Sequence, residues 1–178
     1  VKHIVTKYLD NEILVRKHHR MTTYRLTEHE TLHVVASSPE AIEVEAHFQP
    51  GGKPPPAHRH PAQHERFEVL EGTLHAVVDG DERELRAGDT LEIPLGVAHK
   101  MHAGGDGPAR VRWVTTPRLR THDMWAAMTE AHDRAGGRPP LPALARVLLE
   151  HDAEFQLVLP GGVGPVALRA LAAVPVAR

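Results

Sequence analysis

Cysteine is absent from the 178 residues. That removes disulfide frameworks, thiolate metal sites and cysteine nucleophiles together. Aromatic residues make up only 4%, so the core must be assembled from Val, Leu, Ile and Ala. No stretch approaches the about 18 consecutive apolar residues of a membrane span. The opening Val1-Lys2-His3-Ile4 lacks the apolar run of a signal peptide, and a cytoplasmic location with no membrane partner is the expectation. Neither charge sign dominates: 21 Lys+Arg stand against 23 Asp+Glu, a net charge of −2. The basic face that nucleic acid requires is therefore not expected.

Histidine, by contrast, occurs 15 times, and neutral imidazole is the commonest metal ligand. Abundance alone decides nothing. His18, His19, His29, His122 and His132 read as solvated surface residues, so placement has to separate ligands from bystanders. The length suits one domain at roughly 100–200 residues each, and a chain of this size buries about 70% of its unfolded surface.

Residues 1–30 are polar and mixed in charge and read as an N-terminal extension. Arg16-Lys17-His18-His19-Arg20 forms a basic cluster, and Met21 offers an alternative start with residues 1–20 as a leader. Residues 31–117 change to a period of two. In 41–48, Ile42, Val44, Ala46 and Phe48 alternate with Glu43, Glu45 and His47. Further strands are expected at 31–36, 66–70, 73–78, 82–85, 90–93, 99–102 and 110–115, with Asp79-Gly80 as a tight hairpin turn. Seven or eight short strands at this spacing predict an antiparallel sandwich or barrel. Residues 118–178 change to helical spacing. One helix is expected over 123–135, stopped by Gly136-Gly137. A second has Pro142 in its first turn, and a third covers 166–173. These helices pack on the β unit, on a second subunit, or over a pocket mouth.

The informative stretch is Gly52, His58, His60, Glu65 and Gly72. Residues two apart on a strand share a face, so His58 and His60 project together. Glu65 shares parity with Phe67 and Val69 and therefore points into apolar surroundings. A lone carboxylate there would be strongly penalised, and two imidazoles aimed at the same point make sense of it if a divalent cation lies between them. A second stretch, Gly88, Pro94, Gly96 and His99, brings His99 inward as a fourth ligand candidate. Gln63 is either a donor behind Glu65 or a loop residue. His102 should face away from His99, His75 could face either layer, and Met101 reads as wall because a thioether suits a softer metal.

The two stretches resemble the paired motifs of the cupin superfamily, with Ala103 where Asn is frequent. The run from His60 to Gly72 is similar to small bacterial single-domain cupins with a helical C-terminal tail, some of them quercetin-dioxygenase-like. The resemblance implies an all-β jelly-roll β-barrel with C-terminal helices. It implies that His58, His60, Glu65 and His99 hold a divalent transition metal (Fe, Mn, Ni, Co or Zn), and that the protein forms a homodimer. The expected activity is a dioxygenase acting on a small enolic or phenolic substrate, with Glu65 as ligand or catalytic base. A metal-dependent isomerase or cyclase, or a sensor module without turnover, remains open beside it. The expected pocket lining is Gln63, Phe48, Phe67, Leu91, Ile93, Met101 and Trp113, together with Val69 and Val111. Such a wall is largely apolar, and its few aromatics speak against stacking a large flavonoid. Trp125, Met128, Leu148 and Phe155 either cap the opening or serve packing or dimerisation.

Overall fold

The computed structural model describes residues 22–175. Within them the period-two segments form two antiparallel sheets. One runs β1 (Thr23–Thr27), β2 (Glu30–Ser37), β3 (Ile42–Phe48), β10 (Ala109–Thr116), β5 (His64–Glu71) and β8 (Thr90–Ile93). The other runs β11 (Gln156–Leu157), β4 (His58–Arg59), β9 (His99–Ala103), β6 (Thr73–Val78) and β7 (Asp81–Arg86). This is the expected all-β jelly roll, in which two sheets enclose one apolar core. Three helices follow: α1 (Thr121–Ala135), α2 (Leu141–Glu150) and α3 (Gly164–Ala172). Among the described residues no helix is long and apolar enough to cross a membrane.

Alternation drives the folding of each strand. On β3, Ile42, Val44, Ala46 and Phe48 are at most 4% exposed, while the intervening Glu43, Glu45 and His47 face outward. Each large apolar side chain so buried contributes about 1.5–3 kcal/mol. The β6–β7 hairpin closes through Asp79 (φ 51°) and Gly80 (φ 92°), the pair of left-handed residues that a type I′ turn requires. Gly72, between β5 and β6, has φ 74°, and a Cβ there would meet the Pro108 carbonyl oxygen at 2.1 Å. Only glycine satisfies both conditions.

Three expectations need correction. The extension read over 1–30 contains a strand, because buried Tyr24 and Leu26 alternate with exposed Thr23 and Arg25, and β1 pairs with β2. The basic cluster at 16–20 and Met21 lie outside the described residues. His132 is buried rather than solvated. His122 is half-buried and ties α1 to the sheet, its Nδ1 2.7 Å from the Tyr24 hydroxyl and its Nε2 3.0 Å from Ser37 Oγ. The tail is not helical alone either, since residues 156–157 add β11 beside β4.

Candidate metal centre

Strand register assembles the centre. His58 stands directly across from His99 in the β4–β9 ladder, while Glu65 is paired with Thr115 on β10 and Ile93 on β8. His60 follows β4, and its carbonyl accepts the Gly96 N–H at 2.9 Å, so the turn at 94–96 fixes the chain there. His58, His60 and His99 each offer a ring nitrogen within 4.8 Å of the others. Glu65 Oε2 lies 3.3 Å from His60 Nε2 and 3.1 Å from His99 Nε2. The four residues singled out by strand parity thus come together.

Their orientation carries more information than their proximity. His58 Nδ1 is 3.1 Å from the Pro56 carbonyl oxygen, His99 Nδ1 is 3.1 Å from that of Val97, and His60 Nδ1 bonds the Glu154 carbonyl. A carbonyl only accepts, so each Nδ1 must be the protonated donor. In the neutral ring each Nε2 then carries a lone pair, and the three face one point. His60 Nε2 and Glu65 Oε2 are buried without a hydrogen bond of proper geometry, which is costly unless something else satisfies them. Trp113 Nε1–H donates to Glu65 Oε1 at 3.1 Å and leaves Oε2 toward the rings. This donor set fits a divalent transition ion. Bonds to such an ion run about 2.0–2.2 Å.

Burial pushes His58 down to about 3, helped by the charges of His99 and His60, so its ring is neutral at pH 7. Burial alone would raise Glu65, but His60, His99 and His58 more than reverse it and hold the carboxyl well below the usual range. For His99, burial lowers the value, yet the neighbouring Glu65 carboxylate overcomes it and the net shift is upward. In the absence of an ion, the Glu65 carboxylate and a proton on His99 favour each other; a cation would take that proton's place.

The centre opens on a cavity of about 630 Å³, within the usual range for small-molecule sites. Of the expected lining, Gln63, Phe48, Phe67, Met101 and Trp113 are on its wall, and Leu91, Ile93, Val69 and Val111 are not. Those four point inward as parity requires, but they are at most 3% exposed and fill the closed part of the core. Gln63 turns its amide nitrogen to the Pro117 and Arg118 carbonyls and to Thr121 Oγ1, at 2.7, 3.1 and 2.8 Å. It clamps the start of β5 to the start of α1 instead of supporting Glu65. His102 faces away from His99 and packs against His75, ring centroids 5.2 Å apart. Trp125, Met128, Leu148 and Phe155 all line the cavity, so the tail forms part of its wall. The aromatic scarcity misled on this point: all three Phe and both Trp of the chain lie on that wall.

Sequence reading missed several contributors. The Glu154 carbonyl that holds His60 lies over 90 residues from it and carries no local signal. Phe155 was expected at the opening or in packing, but its stacking on His58, at 4.5 Å with an interplanar angle of 16°, was not. Glu30 and His132 also line the cavity. Glu30 was hidden in the supposed extension, although its place at the head of a strand was visible once Leu32 and Val34 were read as buried.

Residues 44–115 match the family model described as Cupin domain. Among solved structures, KdgF from Halomonas sp. superposes with a TM-score of 0.52 at 21% identity, covering 57% of this chain and 90% of that one. An RmlC-like cupin from Shewanella frigidimarina NCIMB 400 gives 0.52 at 20% identity, covering 58% and 89%. At such identities the likeness is one of fold. No curated protein matches the sequence. The domain match and these neighbours support the cupin superfamily, and the barrel is a cupin jelly roll with C-terminal helices.

Proposed function

We propose that this cupin-fold protein is a metal-dependent dioxygenase acting on a small enolic or phenolic substrate at His58, His60, Glu65 and His99. One observation carries the reading: three imidazoles, each with Nδ1 spent on a backbone carbonyl, gather their ring nitrogens within 4.8 Å of one another, and His60 and His99 bring Nε2 to one buried carboxylate oxygen. A merely structural histidine cluster has no need for three identical tautomers around an unsatisfied Glu65 Oε2. Fe, Mn, Ni, Co and Zn all accept imidazole and carboxylate, so the donor set leaves the ion's identity open. When bound, the ion would supply Lewis acidity toward an enol or phenol oxygen and, if redox-active, the electron transfer that O2 chemistry needs.

The chain's own groups do the rest. Glu65 is ionised, and it either stays on the ion or swings its Oε2 to accept the proton that the enol or phenol gives up as the ion acidifies it. The Trp113 indole N–H, fixed on Oε1, keeps the other oxygen aimed. Phe155 holds the His58 ring by stacking. The apolar wall excludes water and so strengthens each charge interaction inside.

The test is oxygen consumption by reconstituted protein across a panel of enols, 1,3-diketones and phenols. Substrate-dependent uptake that His58→Ala abolishes supports the reading. Tight substrate binding with no uptake by any ion-loaded form would replace it with a binding module.

A further inference from the structure

Glu30 opens β2, paired with Phe48 at the end of β3, and both line the same cavity as the histidines. The lining of that cavity is largely apolar, Leu26, Phe48 and Trp125 among it. The carboxyl has no hydrogen bond or ion pair among the described residues, and the cavity-lining Lys53, Lys100 and Arg138 form none with it. A carboxylate in such a place loses hydration without recovering a partner, a cost that natural cores rarely leave uncompensated. Glu30 belongs neither to the histidine cluster nor to the core packing, and its remaining outlet is the cavity itself.

We propose that Glu30 is a ligand-binding residue, accepting a hydrogen bond from a hydroxyl or amine hydrogen on an otherwise apolar, ring-sized molecule held in the cavity. The cavity then selects amphiphilic aromatic or cyclic compounds over plain hydrocarbons. Burial, with a smaller contribution from the Glu65 charge, pushes the Glu30 carboxyl up to about 7, as expected for a group still waiting for a donor. This inference goes beyond the dioxygenase reading and does not depend on an ion.

Both tryptophans of the chain, Trp113 and Trp125, line the cavity, so intrinsic fluorescence reports occupancy directly. The probes are naphthalene and 2-naphthol, which share a ring system and differ by one donor. They are titrated at pH 8 into the full chain after chelator treatment. The wild type is expected to bind 2-naphthol about tenfold tighter than naphthalene, the worth of one hydrogen bond to a charged acceptor. Glu30→Ala should erase the preference and tighten naphthalene. Glu30→Gln, which retains an acceptor oxygen and the shape, should keep only a few-fold preference. An equal preference in wild type and Glu30→Gln or Glu30→Ala would overturn the proposal, as would failure of both probes to bind the wild type. Because chelated protein is used, neither result depends on whether the histidine cluster takes up an ion.

Discussion

Trp113 is the residue whose role is easiest to isolate. Its indole N–H reaches Glu65 Oε1 at 3.1 Å while its ring stacks on Phe67 at 5.4 Å. Trp113→Phe keeps the stacking and deletes the donor. Outer partners of metal ligands are typically worth 10–100-fold in affinity, so the variant should weaken cation binding by about that factor, read by competition with a chromophoric chelator. Unchanged affinity would remove Trp113 from the account. Glu30 gives a second residue-scale prediction, on stability. Its folded pKa is raised from 4.5 to about 7, so the folded state binds the proton more tightly than the unfolded chain. Stability from this group is therefore full below about pH 4.5 and is lost as pH climbs to 7. Glu30→Gln should leave stability at pH 4.5 nearly unchanged. At pH 8 it should raise stability by on the order of 1–3 kcal/mol in urea unfolding, since one pKa unit is about 1.4 kcal/mol. A variant no more stable than wild type at pH 8 would mean the carboxyl is well solvated.

Among the elements, what was legible tracks what is local. β3 alternates along its whole length, so Ile42 to Phe48 declared themselves. Asp79-Gly80 and Gly136 carried their turns in two residues, and α1 stops at a left-handed Gly136 as its sequence demands. The four central residues were readable because parity on β4, β5 and β9 decides which side chains turn inward. β1 was not, because Tyr24 and Leu26 are only two apolar positions beside a run of polar residues. Nor was β11, whose two residues become a strand only by lying against Arg59 and His58. The β11 segment yields its own prediction. Phe155→Ala removes a ring stacked on His58 and opens the wall, and should lower stability by about 1–3 kcal/mol, below the range for a fully buried Phe. It should also loosen cation binding, and a loss of stability with untouched cation affinity would reduce Phe155 to packing. Gly72→Ala should be the harsher change, because the added carbon overlaps the Pro108 oxygen at positive φ. Losing less than about 1 kcal/mol in the same unfolding assay would contradict the fit described.

On the scale of the whole molecule, the barrel and its tail build one cavity between them. The sheets supply the histidines, Glu65, Phe48 and Trp113. α1, α2 and the segment before α3 supply Trp125, Leu148 and Phe155. Inward parity separated core from surface correctly, but could not tell Leu91 and Ile93, sealed by neighbours, from Phe67 and Met101, which border open space. That distinction belongs to the packing of elements far apart in sequence, as does the gathering of nearly every aromatic residue at one site. Capture of a cation by the cluster underlies the proposed chemistry. Elemental analysis of the chain after reconstitution and dialysis tests this most directly: about one transition ion per chain is predicted at pH 7.5. Occupancy should fall as acid protonates the histidines and should drop below about a tenth in His60→Ala. Wild-type protein that stays below about a tenth of an ion per chain, or His60→Ala that loads as fully as wild type, would contradict it.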